Sequence, residues 1–476
     1  MRVVLCYAPP WKLPLPGARA DFGRDGPPAE YREGDLDGDF YQLPYGLLAL
    51  GAQALRAGHA VKVLNLSAFP WAEVERVVRA LPADVWGFSA WTANRRGVAL
   101  MADLVKRTHP SAHVVVGGPH ATPLAPELLR HHPQIDSVVT GEGDVTFLEL
   151  LGRVGAGEEV AGVPGTVARR GAELVTGPRR RNVDDLDELA SPQDYFSTHI
   201  LMTSRGCPWQ CTFCGAETTW GRGFRGLSVP AVLDAIERAL ERLPVRMLQI
   251  KDDTFTANRK RVLELCAGIR ARGLKFLWSC DTRVDVLTAD LLREMRLAGC
   301  ERLSLGVESG SDEVLERIHK RITRQEILEA TRLARRYGIR VRYYMMLGNR
   351  GETAETFRQT LDFLDQARPD QYLFSCLSIY PGTLDFDDAE REGWLRREQY
   401  FEGDFQELKV PFDASPEVTA MLSRWFEANK GLRTVHVPTV DECRGVLAEL
   451  GEHPPALAEL AGALHRAGDL AGADAA

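Results

Sequence analysis

The chain has 476 residues, 45% of them hydrophobic and 26% charged, with a formal net charge of -8. These proportions exclude a disordered or fibrous chain and allow about two to four domains. The mildly acidic balance argues against a nucleic-acid binder, and no run approaches the ~18–20 apolar residues of a membrane span.

Residues 2–8 form a compact apolar run of strand length, without the apolar segment and small-residue cleavage site of a signal peptide, so a cytoplasmic protein is expected. Residues 45–57 read as a helix stopped by Gly58, and Val61 and Val63 alternate in a second strand. Helix 71–81, strand 84–88, helix 95–107, strand 113–116, helix 124–131, strand 135–139 and helix 144–152 follow. This alternation predicts an α/β fold, with a doubly wound parallel sheet over 1–152. Ligands of such sheets sit beyond the carboxyl ends of the strands. Those ends carry polar or glycine-rich tips. The first is Pro44-Tyr45-Gly46, closing a loop of about 35 residues. Ser89, Trp91 and Thr92 follow strand three, Gly117 and Gly118 follow strand four, and Gly141-Glu142-Gly143 follows strand five. Each glycine pair alone could be a tight turn, but four such tips on one edge predict a binding crevice.

This order of segments resembles the cobalamin-binding domain that precedes radical S-adenosylmethionine (SAM) domains. The resemblance implies that these tips hold cobalamin. No His occurs before His59, so the Asp-x-His-x-x-Gly loop of methionine-synthase-type domains is absent. Cobalamin without a His ligand from this loop is therefore implied. Tyr41, Tyr45 and Trp91 are candidates to cover its lower face or simply to pack.

Residues 153–195 read as a linker with a small hairpin around Val163–Val167 and Glu173–Val175. Then comes Cys207-Pro208-Trp209-Gln210-Cys211-Thr212-Phe213-Cys214, a Cys-x3-Cys-x2-Cys spacing after the strand 199–203. Three thiolates this close can ligate three irons of a [4Fe–4S] cluster and leave one iron open. A closed zinc site would need a further ligand pair, and none is nearby. The other six of the nine cysteines (Cys6, Cys266, Cys280, Cys300, Cys376 and Cys443) have no cluster spacing and read as small buried hydrophobes.

Strand candidates 199–203, 246–250, 275–279, 301–305, 340–346 and 371–379 alternate with helices and predict a partial (β/α)6 barrel over 196–385. Barrel chemistry sits at the carboxyl strand ends. There lie Asp252-Asp253, Ser279, Arg283, Glu308 and the segment 348–353, to which no role is attached. Taken alone, Asp252-Asp253 reads as a solvated turn and Glu308-Ser309-Gly310-Ser311 as a capped loop.

The three-cysteine motif and the segments after it resemble the radical SAM family, and with the first domain they resemble its cobalamin-binding, class B methyltransferase-like branch. The resemblance implies that Cys207, Cys211 and Cys214 hold the cluster and that Phe213 offers backbone contacts to the SAM adenine. It implies that Asp252 and Asp253 lie near the SAM amine, Ser279 and Arg283 near its ribose or carboxylate, and Glu308 near the amine or ribose.

Residues 386–476 read as a small helical cap, with helices at 386–398, 416–432 and 440–450 and a frayed Ala-rich end. Its aromatic set is Trp394, Tyr400, Phe401, Phe405, Phe412, Trp425 and Phe426.

The expected function is a cobalamin-dependent radical SAM methyltransferase. It would act through a 5′-deoxyadenosyl radical and methylcobalamin on an unactivated carbon, or phosphorus, centre. Expected partners are a small-molecule, peptide or carrier-bound substrate of secondary-metabolite, cofactor or peptide-modification pathways, and an electron donor of flavodoxin or ferredoxin type. A cyclase or rearrangement enzyme with the same cofactors, and a non-catalytic cobalamin-binding sensory protein, are the alternatives.

Overall fold

The computed structural model describes residues 1–9, 44–67, 69–243, 247–401, 420, 433–434 and 436–476. The chain divides into two compact units. One comprises Met1–Phe196, Phe213–Gly221 and Ser378–Lys409; the other comprises Ser197–Thr212, Arg222–Leu377 and Val410–Ala476.

The first unit alternates β1 (Arg2–Tyr7), α1 (Tyr45–Arg56), β2 (Ala60–Asn65), α2 (Trp71–Ala80), β3 (Val85–Ser89), α3 (Arg95–Thr108), β4 (His113–Gly117), α4 (Ala125–His131), β5 (Ser137–Val139) and α5 (Asp144–Ala156). The five strands are parallel in the order β2-β1-β3-β4-β5. Winding reverses between β1 and β3, which is where doubly wound sheets bind ligands. Both faces are covered, as the strand alternation requires. Trp86, Val114 and Val116 pack with Val74, Met101 and Leu128 on one side. Val85, Val115 and Leu5 pack with Leu47, Phe147 and Leu150 on the other. Helix α1 ends as expected at Gly58, whose φ of +83° lets its own N–H reach Leu55 O and that of His59 reach Ala54 O.

The expected linker is part of this unit. The hairpin β6 (Thr166–Arg170) and β7 (Glu173–Thr176) extends the sheet antiparallel to β5. Further on, the Gln53 side chain bonds both the N–H and the carbonyl of Ala190. Helix α5 also runs four residues past the expected limit of 152, to a left-handed Gly157 cap.

In the second unit β8 (Ile200–Leu201) and β9 (Ser204–Arg205) lead into the cysteine loop, whose last part, with Cys214 and α6 (Ala216–Trp220), is counted with the first unit. Then follow β10 (Arg225–Gly226), α7 (Val229–Arg242), β11 (Met247–Ile250), α8 (Arg259–Ala271), β12 (Leu277–Thr282), α9 (Ala289–Leu297), β13 (Cys300–Glu308), α10 (Asp312–Arg317), α11 (Arg324–Arg336), β14 (Arg340–Leu347), α12 (Ala354–Ala367) and β15 (Gln371–Cys376). Strands β8, β11, β12, β13, β14 and β15 are parallel neighbours in chain order, the order of a barrel wall. Among the described residues the wall is open: β15 pairs antiparallel with β16 (Arg433–Thr434), and β9 and β10 form a separate ribbon.

Strands β12 and β13 outrun their expected ends at 279 and 305. In β13 the buried alternation of Leu303 and Leu305 continues to Val307, so pairing continues with it. Ser279 therefore lies inside a strand.

The expected cap is divided between the units. Helix α13 (Leu384–Arg391) and a turn at Arg397–Tyr400 belong to the first. There Arg397 pairs with Glu127 and Glu390, and Phe401 stacks on His131. Helices Val440–Leu450, Pro454–Arg466 and Leu470–Ala475 belong to the second. The Ala-rich end is helical rather than frayed, because the Asp469 carboxylate accepts the Gly472 N–H and caps it. The expected helix 416–432, except Ala420, lies outside the described residues, as do Tyr41, Phe405, Phe412, Trp425 and Phe426. No described helix is long and apolar enough to cross a membrane.

Candidate functional site

The stem of the cysteine loop is clamped from two directions. Asp252, just past β11, is fully buried and accepts three hydrogen bonds of 2.6 Å, from the Thr203 N–H, the Thr203 hydroxyl and the Ser204 hydroxyl. From α8, Arg261 donates to the Thr203 carbonyl, the Thr203 hydroxyl and the Leu227 carbonyl. Burial pushes the Asp252 pKa up, while its three hydrogen bonds and Arg261 pull it back. The carboxylate expected near the SAM amine thus already serves the loop's stem.

The loop itself is pinned at both ends. Gly206 takes a φ of +84°, a left-handed conformation that suits glycine, and its N–H donates to Asp253 at 3.0 Å. Crowding by protein pushes the Asp253 carboxyl up to about 6, against that hydrogen bond. Cys207 Sγ lies 3.4 Å from the Thr254 hydroxyl, and the Thr212 N–H donates to Ile318 O. Cys207 and Cys211 are half-buried and Cys214 is exposed. Among the described residues no three His, Cys, Asp or Glu side chains are gathered as a metal-holding group.

Two ion pairs flank Cys211. Arg283 forks onto Asp285, donates to the Lys320 carbonyl, lies 4.7 Å over the Trp209 ring and brings Nη1 to 3.8 Å from Cys211 Sγ. Lys320 Nζ donates to Glu308 at 2.9 Å, and both side chains are mostly buried (6% and 12% exposed). Burial pushes the Cys211 thiol up; Lys320 and Arg283 pull it down, and Glu308 and Cys207 push it up again. Glu308 ends β13 with a φ of +68° beside a register shift, a strained position for a residue with a side chain. A Cβ on Gly306 would meet Lys320 Nζ at 2.7 Å and Glu308 Oε1 at 2.8 Å, so the pair lies directly on that glycine.

The structure thus groups Cys207, Cys211, Asp252, Asp253, Arg283 and Glu308 at the carboxyl ends of one sheet. Ser279 is buried mid-strand, opposite Gln249 and Arg302. The fork of Arg283 is engaged by Asp285 rather than left open. The sequence reading missed Trp209, Arg261 and Lys320. Lys320 sits between His319 and Arg321, both at positive φ, and nothing local in the sequence announces that conformation. Of the six remaining cysteines all are buried except the half-buried Cys376.

In the first unit the tips separate into two kinds. Gly118, at φ +103°, has Ala90 O only 2.8 Å from where a Cβ would stand, and Gly143 has Leu50 at 3.3 Å. Thr92 is buried with its hydroxyl 3.1 Å from His120 Nδ1, and Glu142 accepts the Val183 N–H. These residues shape the edge. Among the described residues Gly46 has no atom within 4 Å of a Cβ position and Gly141 has one, at 3.9 Å, and Trp91 is 49% exposed. Pro44, Tyr45, Ser89 and Gly117 are half-buried, and a Cβ on Gly117 would touch Val139 O at 3.5 Å.

A model of the radical SAM superfamily matches residues 201–364, and one of the B12 binding domain matches residues 39–151. An uncharacterized methyltransferase of Pyrococcus horikoshii is 30% identical over 354 residues, covering 71% of this chain and 77% of that one. The chain belongs to the B12-binding radical SAM family. By that membership it is an enzyme. An anaerobic magnesium-protoporphyrin IX monomethyl ester cyclase of Rubrivivax gelatinosus is 28% identical, covering 65% of this family member and 59% of that protein. The solved structure of TsrM, a radical SAM methyltransferase from Kitasatospora setae with cobalamin and a [4Fe-4S] cluster bound, superposes with a TM-score of 0.64. It covers 83% of this chain and 79% of that one at 18% identity, a likeness of fold.

Proposed function

We propose that this chain is a cobalamin-dependent radical SAM methyltransferase acting on a carbon or phosphorus centre. The observation that carries the reading is that one chain combines a clamped three-cysteine loop at the carboxyl strand ends of one sheet with a glycine-rich carboxyl edge on a doubly wound sheet. The names of relatives support it. When bound, the cluster supplies the electron that cleaves SAM, and cobalamin supplies the methyl group.

The donor chemistry fits the cluster. Cys207, Cys211 and Cys214 would hold the cluster, since thiolates are its ordinary ligands, and Arg283 and Lys320 offset their negative charge. Glu308, held by Lys320, would take the SAM amine or ribose; Asp253 would take the amine; Phe213 would offer its backbone to adenine. Asp252 and Arg261 act as positioning residues through Thr203. Pro44, Tyr45, Gly46, Ser89, Trp91, Gly117 and Gly141 would line the cobalamin crevice, while Thr92, Gly118, Glu142 and Gly143 shape it. The substrate is a small molecule, peptide or carrier-bound group, electrons come from a flavodoxin- or ferredoxin-type donor, and the compartment is the cytoplasm.

The test is anaerobic reconstitution with iron, sulfide and hydroxocobalamin, followed by SAM and a one-electron reductant. Methyl transfer predicts 5′-deoxyadenosine together with S-adenosylhomocysteine. 5′-Deoxyadenosine without S-adenosylhomocysteine favours a cyclase, the second reading, which the Rubrivivax relative supports. Neither product contradicts both.

A further inference from the structure

Arg283 is buried, with 4% of its surface exposed. Five groups fix it: the two oxygens of Asp285, the Lys320 carbonyl, the Trp209 ring and Cys211 Sγ. Its Nε and Nη2 are taken by Asp285 and the Lys320 carbonyl. What remains is the Nη1 face, aimed at a sulfur. Trp209 and Cys211 come from the cysteine loop, Arg283 and Asp285 follow β12, and Lys320 lies between α10 and α11. Three separate segments thus converge to hold one cation against one thiol.

We infer that Arg283 is a positioning residue that sets the reduction potential of the cluster by placing a fixed positive charge against the Cys211 sulfur. The inference rests on the cluster reading above. One-electron reduction adds a negative charge to the cluster, with no bond made or broken. A cation beside a ligand sulfur stabilises the reduced form and raises the potential. Asp285 lies on the other side of the guanidinium and partly cancels that charge. The pair is therefore a dipole whose two ends can be removed separately, with opposite consequences.

The experiment is a mediator-controlled redox titration of the reconstituted full chain, reduced with dithionite and followed by electron paramagnetic resonance, with iron and sulfide counted in every sample. Arg283→Gln is expected to lower the midpoint so that the reduced-to-oxidised ratio at a fixed potential falls about tenfold, ~59 mV for one electron. Arg283→Lys keeps the charge but loses the stack and fork, and is expected to fall between Arg283→Gln and wild type. Asp285→Asn leaves Arg283 on Trp209 and the Lys320 carbonyl and is expected to move the midpoint the opposite way. A merely structural role would lower cluster content in both variants without shifts of opposite sign. Unchanged midpoints at wild-type iron content overturn the inference. If Arg283→Gln loses the cluster, an unshifted midpoint in Asp285→Asn overturns it. A wild-type chain that takes up no cluster contradicts the functional reading itself, and the inference with it.

Discussion

Glu352 follows β14 with Oε2 on the Gly348 N–H and Oε1 buried without a hydrogen-bond partner among the described residues. Burial pushes its pKa up to about 7, against hydrogen bonds from Gly348 and Asn349. A folded-state pKa above the unfolded value means that the folded chain keeps its proton while the unfolded chain loses it. Stability therefore falls as pH rises from about 4.5 towards 7 and levels off above that. At 1.36 kcal/mol per unit the fall is about 3 kcal/mol. Glu352→Gln should remove this component, so denaturant unfolding of the two proteins should diverge progressively across that window. A constant difference between them would contradict the assignment. At the stem of the cysteine loop, Asp252→Ala would strand the Thr203 N–H and the two hydroxyls, each stranded group costing ~1–3 kcal/mol. Loss of roughly 3 kcal/mol or more is expected, with Asp252→Asn in between, read from melting of the reconstituted chain. The cysteines were legible at this scale because their spacing is local. Asp252 was legible as an acid at a strand end, but its role was not. Its partners sit 48 and 49 residues away, and only the parallel pairing of β8 with β11 brings them together.

The elements followed from apolar periodicity and turn residues, and helix α1 with its Gly58 stop is the clearest case. Where they departed, a continuing pattern or a tertiary partner decided. Strand β13 ran on because Val307 kept the alternation, and the hairpin β6–β7 joined the sheet because β5 offered an unpaired edge. The glycine tips carry a prediction here. Gly118→Ala meets both a positive φ and the Ala90 carbonyl, so it should destabilise the first unit by ~1–3 kcal/mol. Gly46 is helical with no described atom within 4 Å of a Cβ position, so Gly46→Ala should raise stability by ~0.4–1 kcal/mol. Thermal melting of the two variants checks this, and equal shifts in the same direction would contradict the division between the two glycines.

For the whole molecule, sequence alternation anticipated both parallel sheets, because each βα unit declares itself locally. It did not anticipate how the tail is shared, because α13 and the turn at Arg397–Tyr400 join the first unit through long-range partners such as Glu127 and His131. The central claim concerns one loop of this assembly: three cysteines hold a cluster whose fourth iron stays open to SAM. Its most direct test is the electron paramagnetic resonance spectrum of the anaerobically reconstituted, dithionite-reduced chain before and after SAM is added, beside a Cys207→Ala, Cys211→Ala, Cys214→Ala variant. The account predicts about four irons per wild-type chain, almost none in the variant, and a wild-type signal that changes when SAM binds. A cluster retained by the variant, or a wild-type signal that SAM leaves unaltered, would contradict it.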